Sequence, residues 1–451
     1  MTTLLFSDAS PPLESFDQLI DYFKKGETPR HLWKIGAEHE KTGLYTATRQ
    51  PVPFGGDSGI RAVLQGLQDR FGWSPILEGE ELISLAREGA MITLEPGGQL
   101  ELSGAQWDDS HQILAEVERH IREVKEVSGP LGITWLALGH NPLTPVSQIP
   151  WMPKERYRLM RDYLPTQGEM ALDMMLATSS IQVSLDYRDE SDMVRKIQTA
   201  YSMAPVLAAL SANSPFAAGR PAGHQSIRQV IWQHMDPDRC GIPPQVFAGD
   251  FGYQEYARYA LDVPMFFIHR DGRHINLAGT RFKDYFEHGA EGQRATQEDW
   301  LVHLTTLFPE VRLKTYLELR MMDAGPPAAV AAFSALARSV LYDDTALEDT
   351  RILCRGMDSI NFPHAMTQAA TNGLQGMVSG RPLLETARDL LEIARRGADR
   401  LAALNTLGKS ESALLAPLEE TIRLGISPAA RLLQLYNGPW GQKLDGLFQG
   451  E

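Results

Sequence analysis

The sequence predicts an α+β fold in which helices surround an open, mainly antiparallel β-sheet. Four short segments alternate apolar and polar residues, as a strand does when one face is buried and the other is polar. Longer stretches carry apolar residues at helical spacing, most continuously from about residue 326 onward. No repeat or low-complexity linker divides the chain, so we expect a single domain over residues 1–451 with a helical flank over about 326–451.

Glutamates mark the polar face of these four segments, which span residues 35–40, 93–103, 180–186 and 316–320. Successive strand residues point to opposite faces, so residues two positions apart share a face. Glutamate is depleted in strands, whereas a merely solvated face would favour Thr, Lys and Ser. The residues that share a face in this way are Glu38 with Glu40, Gln99 with Glu101 and Ser103, and Tyr316 with Glu318 and Arg320.

Pairing of the four segments in one sheet would crowd five carboxylates together: Glu38, Glu40, Glu95, Glu101 and Glu318. Two unit charges about 4 Å apart repel each other by about 4 kcal/mol at an effective dielectric constant of roughly 20, so such a cluster requires cations. Oxygen ligands without soft partners select hard cations, and Mg²⁺ is typically shared with substrate phosphates. The residues therefore predict a magnesium-nucleotide enzyme in which the planar guanidinium of Arg320 binds a phosphate.

Helices alternate with these strands in the N-terminal part of the prediction. Residues 13–26 have helical spacing, and a Gly-rich segment over 54–59, interpreted as a plain loop, leads into a helix over about 59–70. Asp108 or Asp109 can cap a long amphipathic helix, because a carboxylate there accepts a hydrogen bond from the first turn. Residues 131–138 are predicted to form an apolar strand.

The middle of the chain carries a basic segment over residues 152–165, which is predicted to contain a short helix. A helix that faces anions and a solvated helix explain its composition equally well. A helix over residues 192–210 follows, and then Arg228, Trp232 and Arg239 flank an aromatic stretch suited to a pocket wall.

Three further elements are predicted in the second half of the chain. Asp271-Gly272 indicates a hairpin within residues 262–287. Residues 383–404 and 427–436 have helical spacing.

Composition limits the partners and the compartment. The formal net charge of −14 argues against nucleic acid or an anionic membrane as a main partner. Two cysteines cannot form a disulfide framework, and no Cys-x-x-Cys spacing is present, which favours a reducing compartment. The first eight residues lack the features of a signal peptide, and no apolar run is long enough to cross a membrane. We therefore predict a cytoplasmic location.

Other catalytic motifs are incomplete. Gly408-Lys409-Ser410 ends like a phosphate-binding loop, but Ala403 occupies the position of its first glycine. His39-Glu40 begins like a zinc-protease motif, but Gly43 replaces the second histidine. No Gly-x-Ser-x-Gly element surrounds a candidate nucleophile.

Six stretches of the sequence resemble the glutamate–cysteine ligases of the plant and proteobacterial type, within the glutamine-synthetase-like carboxylate–amine ligases. They run in order along the chain, and the second and fifth are long enough to be specific. The stretches are IGAEHEK (35–41), TLEPGGQLELSG (93–104), MPKERYRLMR (152–161), ANSPF (212–216), FPEVRLKTYLELR (308–320) and YNGPWG (436–441).

The resemblance implies formation of γ-glutamylcysteine, the first step of glutathione biosynthesis, in one catalytic domain. ATP would phosphorylate the γ-carboxylate of L-glutamate, and the amine of L-cysteine would displace phosphate. It also implies a curved sheet with ATP and glutamate meeting at metal ions on its concave face.

The resemblance further implies roles for individual residues. Magnesium-ligand positions of the family correspond to Glu38, Glu40, Glu95, Glu101 and Glu318, with Gln182 on a strand that carries a polar or His ligand in related ligases. Arg320 corresponds to a phosphate-contacting arginine, and Arg228 fits the arginine that holds a substrate carboxylate. Substrate-binding positions correspond to Lys154, Arg156 and Arg161 in the segment expected to close over substrates. Trp232, in the aromatic stretch suited to a pocket wall, is also expected to bind substrate.

One position departs from the plant pattern. Plant members use cysteines as a redox switch, but the position matching one of them is Ser179, and Cys240 and Cys354 match no plant cysteine. We therefore predict no plant-like thiol switch.

Two alternatives stay open at this point. One is a ligase on the same frame that joins glutamate to another amine, and the other is a non-catalytic sensor of glutamate or nucleotide. The sequence leaves both a monomer and a weak homodimer open.

Overall fold

A computed structural model describes residues 10–448 of the chain, and its centre is a large antiparallel sheet. Within these residues the sheet has nine strands: β1 (Ile35–Tyr45), β2 (Ser74–Glu78), β3 (Glu81–Arg87), β4 (Ala90–Leu94), β5 (Leu100–Ser103), β6 (Ile133–Leu136), β7 (Ser180–Leu185), β8 (Val311–Leu313) and β9 (Leu317–Asp323). Their spatial order is β8-β9-β7-β1-β5-β4-β3-β2, and β6 pairs with the end of β1. Every neighbouring pair is antiparallel.

The four predicted acidic segments all belong to this sheet. Glu40 on β1 is opposite Glu101 on β5, and Glu38 lies between Ser103 on β5 and Gln182 on β7. On β9, Glu318 is opposite Ser184 of β7. The register therefore confirms that the segments pair and that their acidic residues share one face, which is called the acid face below.

The segment over residues 93–103 differs from the prediction of one alternating strand. It forms the end of β4, a tight turn and then β5. In the turn, Glu95 N donates to Gln99 O (3.0 Å) and Gly98 N donates to Glu95 O (2.9 Å). Pro96 cannot donate a ladder hydrogen bond, and Gly98 has a φ of 83°, so this Pro-Gly-Gly sequence reverses the chain. Glu95 thus belongs to a turn at the end of the acid face.

Helices surround the sheet, and those predicted from apolar spacing are confirmed with small shifts of their ends. Asp109 is the residue that caps α3, because its carboxylate accepts a hydrogen bond from Gln112 N (3.0 Å). The helices are α1 (Phe16–Lys24), α2 (Ile60–Phe71), α3 (Ser110–Ser128), α4 (Glu155–Tyr163), α5 (Ala171–Ala177), α6 (Glu190–Ser211), α7 (Ile227–Gln233), α8 (Tyr253–Asp262), α9 (Phe282–His288), α10 (Gln297–Thr305), α11 (Pro327–Tyr342), α12 (Asp344–Leu353), α13 (Phe362–Asn372), α14 (Leu383–Leu401), α15 (Ala416–Leu424) and α16 (Pro428–Asn437).

Four small two-stranded pairings supplement the main sheet. One is the predicted hairpin, in which Phe267–Arg270 pairs with Arg273–Asn276 across Asp271-Gly272. Cys240–Gly241 pairs in parallel with Phe308–Pro309, which ties the segment before β8 to the loop after α7. The other two pairings join Phe216–Ala217 to Arg220–Pro221 and Met377–Val378 to Arg381–Pro382.

The face of the sheet opposite the acid face is apolar and lies in the main hydrophobic core. Its strand residues, such as Ile181, Val183, Leu317 and Leu319, are fully buried. Helices α3, α6 and α11 pack against these strands. Burial of one apolar face fixes the register of each strand, because a slip by one residue would move that face into the acidic surroundings.

A β-bulge interrupts β9 at the edge of the acid face. Leu319 is opposite Val183 and Met322 is opposite Ile181, so Arg320 and Met321 together face the single residue Gln182. A bulge of this kind bends the strand and leaves backbone groups outside the ladder. The bulge turns the side chain of Arg320 toward Gln182 on β7.

The predictions on a signal peptide and on the end of the domain involve the two ends of the chain. The absence of a signal peptide was predicted from residues 1–8, which lie outside the described residues, as does the end of the predicted domain over residues 449–451. Within residues 10–448, no helix combines the length and the apolar character required to cross a membrane.

The turn that carries Glu95 depends on Gly97, which leads to the first testable prediction. A Cβ atom at Gly97 would lie 2.0 Å from the carbonyl oxygen of Leu176 at the end of α5. We expect Gly97→Ala to lower the free energy of unfolding by about 1–3 kcal/mol, because backbone atoms must move apart. Urea denaturation measures this change.

Gly55→Ala is the matched control, since a Cβ atom there would meet no atom of residues 10–448 within 4 Å. We expect it to change stability by less than about 0.5 kcal/mol, as is usual for surface substitutions. Equal stability of the two variants would show that the close contact at Gly97 is wrong.

Candidate active site

The acid face brings four buried carboxylates together. Glu38 and Glu40 on β1, Glu101 on β5 and Glu318 on β9 each have at most 8% of their surface exposed. Burial, together with the charges of Glu101 and Glu318, raises the pKa of Glu38 to about 7. Burial, together with Glu95 and Glu101, raises the pKa of Glu40 to about 8. The crowding of like charges expected from the sequence is therefore present.

Glu318 is the best compensated of these carboxylates, because three buried cations surround it. Its oxygens lie 2.7 Å from Arg312 Nε, 3.1 Å from Lys314 Nζ and 3.0 Å from Arg320 Nη1. Burial acts in the opposite direction, but Arg312, Lys314 and Arg320 hold the pKa of Glu318 well below its ordinary value. Sequence reasoning selected only Arg320, although the alternation Val-Arg-Leu-Lys over 311–314 already places Arg312 and Lys314 on one face.

Glu40 is held by neutral donors from β7. Ser180 donates to it from its backbone N (2.7 Å) and from its hydroxyl (3.0 Å), and Gln182 Nε2 donates at 3.3 Å. The amide oxygen of Gln182 accepts a hydrogen bond from Arg320 Nη1. Gln182 thus links Glu40 to Arg320, and Ser180 is a site residue that sequence reasoning missed.

The donor set on this face fits a hard divalent cation. It consists of carboxylate oxygens without sulfur or imidazole ligands, and Glu38 Oε2 is buried without a hydrogen-bond partner among residues 10–448. Within residues 10–448, however, no group of three or more His, Cys, Asp or Glu side chains is arranged so that it could hold a metal ion. The type of donor therefore fits Mg²⁺, but the carboxylates are not arranged around a common point, and Glu318 is already bound to protein cations.

A cavity of about 30 Å³ lies at one end of the acid face. It unites six of the predicted site residues with side chains from α5 and from the segment before β8. Its size accommodates about one water molecule, so a substrate requires the surrounding elements to move. The lining consists of Glu40, Glu95, Gln182, Arg228, Trp232 and Arg320, together with Met174, Thr178, Ser180 and Phe308.

Arg228 on α7 is bound to the backbone exposed by the bulge. Its Nη2 donates to Arg320 O (2.8 Å) and its Nη1 donates to Met321 O (3.3 Å), while Asp323 lies 3.9 Å away. Its Nε is buried without a hydrogen-bond partner among the described residues, and the same holds for the indole Nε1 of Trp232. Arg228 therefore positions β9 and still has one donor unused.

A second cavity of about 160 Å³ adjoins Glu38 at the opposite end of the acid face. Backbone around Gly36 and Gly104 and small side chains such as Ser103 and Ser184 line it, with Tyr316 as the aromatic wall. Sequence reasoning did not identify this space, because its lining comes from residues distant in the chain.

The basic segment divides into buried and exposed positions. Lys154 is buried and donates from Nζ to Leu94 O (2.9 Å), next to the turn that contains Glu95. Burial lowers its pKa to about 8. Arg156 is half-buried, and Arg161 is exposed, with its guanidinium 5.3 Å from the ring centre of Trp151. Arg156 and Arg161 do not line either cavity among the described residues.

Comparisons with known proteins agree with this geometry. Residues 34–450 match the model of glutamate-cysteine ligase family 2. The chain is 38% identical over 453 residues to a chloroplastic glutamate–cysteine ligase of Nicotiana tabacum, covering 98% of this chain and 85% of that protein. It is 40% identical over 445 residues to the chloroplastic enzyme of Medicago truncatula, with the same coverage.

A solved structure shares the fold. The glutamate–cysteine ligase of Francisella tularensis, solved in complex with AMP, superimposes with a TM-score of 0.57 and 13% identity, and the match covers 92% of this chain and 86% of that one. The sheet, its acid face and these similarities define the protein as a ligase. The chain belongs to glutamate–cysteine ligase family 2.

The three cations around Glu318 generate a second prediction. Glu318→Gln would leave Arg312, Lys314 and Arg320 buried without their shared anion. We expect the free energy of unfolding to fall by about 3–5 kcal/mol, as when one partner of a buried ion pair is removed. Urea denaturation monitored by tryptophan fluorescence measures the loss.

Glu118→Gln on the exposed side of α3 is the control for this charge change. We expect it to shift stability by less than about 0.5 kcal/mol. An unfolding midpoint of Glu318→Gln equal to that of the control would contradict the stabilising role of the three contacts.

Proposed function

We propose that the protein catalyses ATP-dependent ligation of L-glutamate to L-cysteine through a γ-glutamyl phosphate. The observation that carries this proposal is the acid face itself, where four buried carboxylates lie beside the guanidinium of Arg320. Carboxylates attract a metal-bound nucleotide, and a buried arginine binds a transferred phosphoryl group. The names of the plant relatives support the choice of glutamate and cysteine.

The proposed reaction needs no protein nucleophile. A carboxylate is a poor electrophile, so phosphorylation converts its oxygen into part of a leaving group. Phosphoryl transfer depends mainly on positioning and on neutralisation of charge. Mg²⁺ bound by Glu38, Glu40, Glu95, Glu101 and, after release from its cations, Glu318 would neutralise the phosphate oxygens.

The roles of the remaining residues follow from their positions. Arg320 at the bulge would stabilise the charge that develops on the phosphoryl oxygens. Arg228, with its unused Nε, would bind a substrate carboxylate at the small cavity, and Trp232 would form the wall beside it. Lys154 and Arg156 would approach the site when the cavity opens, whereas the exposed Arg161 would contact substrate only if α4 moves as a unit.

The first experiment measures phosphate release from ATP with Mg²⁺ and glutamate while cysteine or other amines are added in turn. Product mass is read in parallel. Cysteine-dependent release with γ-glutamylcysteine as product is the expected result. If phosphate were released only with a different amine, that amine would replace cysteine as the acceptor. If no amine caused phosphate release, the result would favour a non-catalytic sensor.

Glu38→Gln provides the corresponding variant. We expect phosphate release to fall by about 10²-fold or more, because a carboxylate oxygen is lost from the proposed metal site. The free energy of unfolding should not fall, since the substitution removes one of several crowded negative charges. Unchanged turnover, measured beside Glu118→Gln, would show that Glu38 is not a metal ligand.

The two cysteines support the absence of a thiol switch. Cys240 and Cys354 are half-buried and unpaired, and burial raises the pKa of Cys240 strongly and that of Cys354 to about 12. Both thiols are therefore protonated at neutral pH and react slowly with oxidants. We expect hydrogen peroxide followed by dithiothreitol to change activity by less than about twofold. A severalfold loss that dithiothreitol restores would contradict this prediction.

Location and assembly stay predictions. We propose a cytoplasmic protein, on the basis of its two unpaired cysteines.

Both a monomer and a weak homodimer stay open for the assembly of the protein. Analytical ultracentrifugation distinguishes the two states.

A further inference from the structure

Glu310 carries a buried carboxylate that the roles described above do not use. Only 9% of its surface is exposed. Its backbone is fixed on both sides, since its N donates to Gly241 O (2.9 Å) and its O accepts from Arg320 N (3.0 Å). Among residues 10–448, the carboxylate of Glu310 accepts no hydrogen bond and has no ion pair within 4.0 Å. The carboxylate oxygens of Glu310 are therefore available to a partner from outside the chain.

The position of Glu310 relates it to the small cavity. Phe308, two residues earlier, lines that cavity, and Arg228 and Arg320 line it as well. The same two guanidinium groups are the charges that act on the Glu310 carboxylate. Glu310 therefore lies near two arginines that line the cavity, without being part of the lining itself.

The surroundings of Glu310 favour proton exchange near neutral pH. Burial raises the pKa of Glu310 to about 7, while Arg228 on α7 and Arg320 on β9 act in the opposite direction. The other titratable groups that face it are the thiol of Cys240, which precedes Gly241, and the hydroxyl of Tyr201 on α6. Both remain protonated at neutral pH, since burial raises the pKa of each. A base works best when its pKa is close to the working pH.

Three other buried carboxylates close to the cavity have partners of their own. Glu318 binds three cations, and Glu40 accepts hydrogen bonds from Ser180 and Gln182. Asp323 accepts hydrogen bonds from Ser214, Ser226 and the backbone of Asn213. Of these buried carboxylates, Glu310 has the oxygens left for an ammonium group.

We propose that Glu310 binds the ammonium group of the acceptor amino acid and takes its proton before the amine attacks the acyl phosphate. This inference rests on the proposed function. An ammonium group has no free electron pair, so it cannot attack a carbonyl carbon until it loses a proton. Contact with a carboxylate also provides an opposite charge that recognises amino acids over neutral molecules.

Two protons leave the acceptor nitrogen in this step. One N–H proton moves from the ammonium to Glu310, and the nitrogen electron pair forms a bond to the γ-carbonyl carbon. The bond from that carbon to the phosphate oxygen breaks, and phosphate leaves with the electron pair. The second N–H proton leaves with phosphate, and Glu310 returns its proton to solvent.

The test compares two acceptors in the wild type and in Glu310→Gln. Cysteine requires loss of a proton, whereas hydroxylamine is already neutral at pH 8 and traps the acyl phosphate as a hydroxamate. We expect the variant to lose amide formation by about 10²-fold or more in kcat, since general-base catalysis contributes at least that factor. Hydroxamate formation should stay within about threefold of wild type, because a neutral nucleophile needs no base.

The outcomes separate the inference from the proposed function. A parallel fall of amide and hydroxamate formation in Glu310→Gln would show that Glu310 supports glutamate, ATP or the fold, and the inference would be wrong. If Glu310→Gln raised KM for cysteine but left kcat unchanged, Glu310 would bind cysteine without taking its proton. That result would also overturn the inference. Failure of the wild type to form either product would instead disprove the proposed function.

Two further variants test for structural effects. Glu310→Asp keeps a carboxylate on a shorter side chain, and recovery of part of the cysteine-dependent kcat would support proton transfer. Glu118→Gln again serves as the exposed control and should match wild type with both acceptors. Thermal unfolding at pH 8 verifies the fold, and Glu310→Gln should be at least as stable as wild type because it removes a buried negative charge.

Discussion

The mutual repulsion of carboxylates buried on one face of the sheet is the constraint on which this structure depends. Glu38, Glu40, Glu101 and Glu318 lie side by side in a setting where each charge acts strongly on the next. The fold offsets this repulsion unevenly. Within residues 10–448, Glu318 receives three cations, Glu40 receives neutral hydrogen bonds, and Glu38 keeps one oxygen without a hydrogen-bond partner. The uneven compensation leaves part of the negative charge available to a bound cation.

The bulge in β9 connects this acid face to the rest of the site. It places two residues opposite Gln182, which turns Arg320 toward the carboxylates and leaves two carbonyl groups without ladder partners. Arg228 binds both carbonyls from α7, and the backbone N of Arg320 binds Glu310. One irregular position thus aligns Arg320, helix α7 and the proposed base.

The sequence predicts the sheet well, because alternation with period two is a local property. Glu38 and Glu40 share a face whatever their neighbours are, and the burial of the opposite face fixes how the strands pair. Contacts made through the tertiary structure are less accessible to sequence reasoning. The turn at Pro96 was hidden within an alternating pattern, and the location of Arg312 beside Glu318 depends on the pairing of β8 with β9. Arg228 was predicted to bind a substrate carboxylate. In the structure it binds two carbonyl groups that are free of the ladder only because of the bulge, and no residue pattern predicts that bulge.

The small volume at the end of the acid face has a consequence for the speed of substrate association. A space of about 30 Å³ cannot admit an amino acid as it stands. Entry therefore requires α5, α7 or the turn at Glu95 to separate, and binding that waits for such an opening has an association rate below the usual range for preformed sites. Closure of the same elements over bound substrates would exclude water from a reactive intermediate and so protect it from hydrolysis.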